Sequence, residues 1–141
     1  MARDRAKQLD RILRVRTLQL TLSRADEARA LDKVASERAL AGRIASLADA
    51  VAPAQEIGSG FSLVAAAHFR SRLHQSAEAA DHRVREATAL LERATEATRE
   101  AKRDQSAVEK LMARADADAA LKALRALEEA PPVRKIRHDP C

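Results

Sequence analysis

His74, Glu78 and His82 follow one another at intervals of four residues, a spacing that lines them along one face of a helix. Imidazole and carboxylate are ligands for zinc and related metals, so this triplet is where the sequence comes nearest to a metal centre. The same spacing is also that of ordinary i,i+4 pairing on a solvated helix face, and that reading is preferred. His68 and His138 add no ligand geometry, and no metal is expected. The lone thiol, Cys141, is the last residue. One cysteine makes neither an internal disulfide nor a metal cage, and none of the three residues that a prenylation box places after its cysteine is present. A Gly-rich phosphate loop, a nucleophile elbow and a His-Glu-x-x-His pair are all missing. The sequence therefore predicts no catalysis, no cofactor and no small-molecule substrate.

The elements that would carry these residues are legible from composition. The 141 residues include 33 Ala, two Phe, and no Trp or Tyr. Aromatic rings supply much of the buried area of a compact core, so a core here must be built from Leu, Val and Ala. Charged residues make up 33% of the chain, while Gly and Pro together number seven. That is the composition of a long helix or coiled coil. A hydrophobic fraction of 46% with a net charge of only +5 argues against disorder of the whole chain.

Apolar residues recur at helical spacing from about residue 4 to residue 51: Leu9, Leu13, Leu20, Val34, Ala41, Ile44, Ala48 and Val51. Arg16, Ser23, Glu27 and Glu37 interrupt the same stripe. A helix of ~45 residues is roughly 70 Å long. Pro53, Gly58 and Gly60 then form the one strong break in the first 130 residues, and residues 52–60 are expected to turn. A second helix is expected from about 61 to 129, with two heptad rows. One row holds Ala77, Val84, Leu91, Thr98, Gln105, Met112 and Ala119; the other holds Leu73, Ala80, Ala87, Ala94, Ala101, Val108 and Ala115. After Ala115 the phase slips to Leu121, Leu124 and Leu127, and Pro131-Pro132 ends the helix. Residues 131–141 are read as a basic flexible tail. No strand signal is present. The expected fold class is all-α: two long helices in an antiparallel coiled-coil hairpin, residues 1–130.

Charge is uneven along the chain. Between Met1 and Arg24 there are seven basic and two acidic residues, and between Pro131 and Cys141 three basic and one acidic. A hairpin brings its termini together, so its open end is expected to be strongly basic and its turn end near neutral. A basic end seeks an acidic protein surface, a phosphate backbone or anionic lipid; a solvated charge run is the plainer reading. Nucleic-acid binding adds aromatic stacking or a reading motif, and neither is found, which disfavours that partner. Phe61 and Phe69 follow the turn. Phe69 shares a face with Leu73 and is either an anchor for a partner or packed on the end of the first helix near Leu40, Ile44 and Leu47. No apolar run approaches the ~18 residues of a membrane span, and the Arg-rich start is unlike a signal peptide, so a cytoplasmic location is expected.

The segment Leu9–Arg16 (LDRILRVR) resembles the opening of the FliJ family of bacterial flagellar export proteins. The stretch from Arg99 to Arg114, containing Val108–Leu111 (VEKL), resembles a segment of that family's second helix. The stalk proteins of virulence-type secretion systems are an equally good match in shape. The Ala-rich stretch after Leu111 and the Pro-Pro ending depart from the family pattern. The resemblance implies an antiparallel two-helix stalk that couples a hexameric export ATPase to the export-gate membrane protein and to export chaperones, peripherally at the membrane apparatus. Carried onto this sequence, it assigns Arg11, Arg14, Arg16, Val108, Lys110 and Leu111 to the ATPase ring, and Phe69 and Leu73 to the gate. The alternatives are a nucleic-acid-associated coiled coil and a purely structural one that dimerises through the end of its second helix.

Overall fold

Ala- and Leu-rich segments without internal proline have little to interrupt a helix once packing stabilises it. The computed structural model describes residues 2–51 and 60–132, with side chains at 4–51, 60 and 63–132. Two helices account for nearly all of this: α1, Ala2–Ala50, and α2, Gly60–Glu128. No strand occurs among the described residues. The two helices pack against each other as an all-α helical hairpin. The expected turn at 52–60 lies, apart from Gly60, outside the described residues, as does the tail from 133 onward. The α2 helix gives way where Pro131 and Pro132 follow it. Glu129 N–H still donates to the Arg125 carbonyl at 2.9 Å and Ala130 N–H to that of Leu127 at 3.4 Å; the prolines have no N–H to continue the ladder.

The described helices fall into two compact units. In the unit formed by residues 18–102, Leu20, Ser23, Glu27, Ala30, Val34, Glu37, Ala41, Ile44 and Ala48 of α1 are buried or half-buried, and the residues between them are exposed. The steps alternate between three and four, the heptad rhythm that keeps one seam toward a partner helix. Facing them on α2 are Leu73, Ala77, Ala80, Val84, Ala87, Leu91, Ala94, Thr98 and Ala101. The pairing is antiparallel: Glu27 meets Thr95, and ten residues later Glu37 meets Arg83, twelve residues earlier on α2. Thr98 is tolerated in this row because its hydroxyl donates to the Ala94 carbonyl on its own helix at 3.1 Å.

The other unit joins residues 1–17 to residues 103–141. Here Leu9, Leu13 and Arg16 of α1 and Gln105, Val108, Met112 and Ala115 of α2 are removed from solvent to varying degrees. From Asp116 to Pro132 every described residue is exposed. Ala119 was expected to extend the seam row and does not: burial stops at Ala115, and Ala119 is exposed.

Both seams are one layer deep. Among the described residues the buried apolar ones are Leu20, Val34, Ala80, Ala87 and Val108, and no large side chain is fully enclosed. The alanines let two backbones approach closely, and the few larger side chains between them carry most of the apolar burial. Leu20 is 4% exposed, whereas Leu18, two residues earlier, is 64% exposed. Leu20→Ala therefore costs about 2–3 kcal/mol through lost burial and the cavity left behind, and Leu18→Ala changes stability by less than about 0.5 kcal/mol. Chemical denaturation of the two variants followed by circular dichroism tests this difference.

Candidate partner-binding surface

Residues 9–16 lie on the first turns of α1, and their helical phase sorts them. Leu9, Leu13 and Arg16 fall on the seam side, whereas Arg11 and Arg14 fall outside it and are exposed. Arg14 pairs with Asp10 one turn back, Nη2 to Oδ2 at 2.7 Å; both remain wet, so this pair contributes little. Arg16 instead reaches α2, where its Nη1 lies 2.8 Å from Asp104 Oδ2. Beside it, Gln105 Nε2 donates to Thr17 Oγ1 at 3.2 Å. These polar cross-links hold the beginning of α1 against α2 within one unit.

The α2 side of that unit divides in the same way. Val108 is buried in the seam, while Lys110 and Leu111 are exposed. Stepping antiparallel from the Arg16–Asp104 pair, Arg11 comes level with about Lys110. Exposed cations from both helices thus stand in one unit, together with Arg5 and Lys7. Arg16 and Val108 have different tasks: one ties the helices together and the other packs between them. Leu121, Leu124 and Leu127, beyond the end of the seam, are all more than half exposed. Their phase slip is visible in sequence, and it turns them away from the seam face that ends at Ala115.

In the 18–102 unit, Phe69 is 53% exposed, so it does not pack closely on the end of α1; Leu73 is half-buried at the edge of the seam. The side chain of Phe61 lies outside the described residues. His74 and His82 each have a separate glutamate one turn on, Glu78 at 3.3 Å and Glu86 at 3.6 Å. No group of three metal-binding side chains gathers among the described residues.

The one buried charged residue among those described is Glu37, 7% exposed and on the seam. Lys33, one turn earlier on α1, approaches Oε1 at 2.8 Å. Arg83 of α2 approaches Oε2 with its Nε at 3.3 Å; this is an ion pair rather than an aligned hydrogen bond. The Lys33 pairing would have been readable from i,i+4 spacing. The Arg83 pairing required the helix register, which a row of alanines does not announce.

No protein-family model, curated protein or solved structure matches the chain.

The Lys33 hydrogen bond, aided by the charges of Lys33 and Arg83, holds the Glu37 carboxyl below its ordinary pKa against the opposing effect of burial. A carboxylate whose folded pKa is depressed stabilises the fold fully above its unfolded pKa, about 4.3, and loses that contribution as pH falls through the folded value. The melting temperature is therefore expected to drop on acidification below about pH 4.3. In Glu37→Gln the acid limb of the profile should be shallower than in the parent protein. Thermal melts between acid and neutral pH check this, and superimposable limbs would contradict it.

Proposed function

We propose that this chain is a non-catalytic helical stalk that works by docking on other proteins, and that it serves a bacterial type III, flagellar-type export apparatus. The observation that carries the reading is the grouping of exposed Arg11 and Arg14 of α1 with exposed Lys110 and Leu111 of α2 in one compact unit. A cationic surface formed from both ends of a hairpin is suited to the acidic or mixed lining of a ring. Coulomb attraction of this kind raises association rates and fixes orientation more than it sets final affinity. Arg16 and Val108 act beneath that surface, keeping the two helices in register while the outer residues make contact.

The reading as a non-enzyme rests on the depth of the seam. A reaction site needs a concave, water-excluding pocket with fixed dipoles. A seam of alanines between two helices, with no large side chain fully enclosed among the described residues, has no room for one. Among the described residues no helix is long and apolar enough to cross a membrane, so attachment to the export gate would be peripheral. Phe69, exposed and aromatic, with Leu73 at the seam edge, is the proposed contact with the gate. Export chaperones are proposed as further partners.

The proposal is tested by pull-down and turnover assays with the purified cognate export ATPase. The chain should bind the ATPase and change its hexamer formation or turnover. Arg11→Glu with Arg14→Glu should weaken binding by about tenfold or more, equivalent to about 1.4 kcal/mol, while leaving helix content unchanged. Absence of binding, together with unchanged assembly and turnover, would overturn the export reading.

A further inference from the structure

We infer that Glu37 and Arg83 form a latch that selects one helix register over a second, one heptad away, which the apolar seam also accommodates. This inference does not depend on the export reading. It starts from a degeneracy in α2. Ala80, Ala87, Ala94 and Ala101 repeat every seven residues along the seam, so a slide by one heptad lays alanine where alanine was. Antiparallel stepping between the Glu27–Thr95 and Glu37–Arg83 pairs sets Val34 level with Ala87, and both are buried. Advancing α2 by seven residues brings Ala94 opposite Val34 instead, and Val84 opposite Ile44 in place of Ala77. The alanine row is unchanged by the slide, and Val84 in place of Ala77 keeps the partner of Ile44 apolar. Heptad seams with small, uniform side chains specify register weakly, and single buried polar residues are the usual means of fixing it.

The polar residues break the tie. Advancing α2 by a heptad replaces Thr95 opposite Glu27 with Lys102, which is at least as good a partner for a carboxylate. The same slide replaces Arg83 opposite Glu37 with Leu90. Glu37 then keeps only Lys33, from its own helix, and a buried carboxylate deprived of a cation is strongly disfavoured. Glu37 thus opposes a slide that Glu27 favours, and it does so from a buried position, whereas the Arg16–Asp104 and Thr17–Gln105 contacts that the slide also breaks are exposed and contribute little. A hairpin poised in this way can transmit a displacement along its length when something competes for Arg83 or neutralises Glu37.

Disulfide trapping reads the register directly. In a full-length Cys141→Ser background, Val34→Cys with Ala87→Cys reports the resident register, and Val34→Cys with Ala94→Cys the advanced one. Seven residues of helix span about 10 Å, more than the Cα separation a disulfide tolerates, so each pair reports one register. With Glu37 and Arg83 intact, the first pair should oxidise at least tenfold faster than the second. Glu37→Gln and, separately, Arg83→Leu should speed the Ala94 pair by tenfold or more, and Arg83→Lys should restore the original preference. The inference is overturned if the Ala94 pair stays equally slow in both variants. It is also overturned if both variants lose their helical circular dichroism, because the pair would then be a condition of folding and not a choice of register.

Discussion

Close approach of two alanine-lined helix faces is the constraint on which every other feature depends. Neither helix can bury its stripe alone, and a solitary helix of this composition draws little stability from propensity. Pairing solves this, but an alanine removes little area from water, so each residue of contact contributes modestly. The seam is therefore long rather than deep. Its larger members, Leu20, Val34 and Val108, are spaced widely between small ones. The polar cross-links at Arg16–Asp104, Thr17–Gln105, Glu27–Thr95 and Glu37–Arg83 add directionality that methyl groups lack.

The same constraint separates surface from seam. Once Leu13 and Arg16 turn toward α2, helical geometry obliges Arg11 and Arg14 to face outward. The Leu121 and Leu124 stripe of α2 is exposed. At 3.6 residues per turn, that stripe stands about half a turn around α2 from Ala115, so extending the seam would not have covered it. The cationic and apolar exposed groups that suit a partner are thus by-products of how the helices pair.

Much of the fold was legible because heptad spacing is a one-dimensional signal. The α1 positions from Leu9 to Val51 that share one phase are those that lose solvent exposure, including the polar intruders Arg16, Ser23, Glu27 and Glu37. Both α2 rows read in the same way as far as Ala115. The signal failed at Ala119, where the heptad pattern continues but the residue is exposed. It was also silent on cross-helix partners. Arg83 lies off both rows, and nothing within α2 marks it as the cation that meets a buried carboxylate. The candidate surface was legible in part: charge along the chain pointed to the ends, but the division of Arg11, Arg14 and Arg16 between solvent and seam needed the helix phase to be tied to a second helix.

The most direct measurement is the distance between spin labels at Lys7 and Arg114, both exposed, in the monomeric full-length protein. Paired helices lie 8–10 Å apart, axis to axis, according to the side chains between them, so with label arms a distribution centred at about 20–25 Å is predicted. If α1 and α2 were instead one unfolded-back rod, the labels would be about 160 Å apart at 1.5 Å per residue. A distribution lying wholly beyond about 50 Å, far outside what paired helices allow, would contradict the antiparallel pairing and the partner surface built on it.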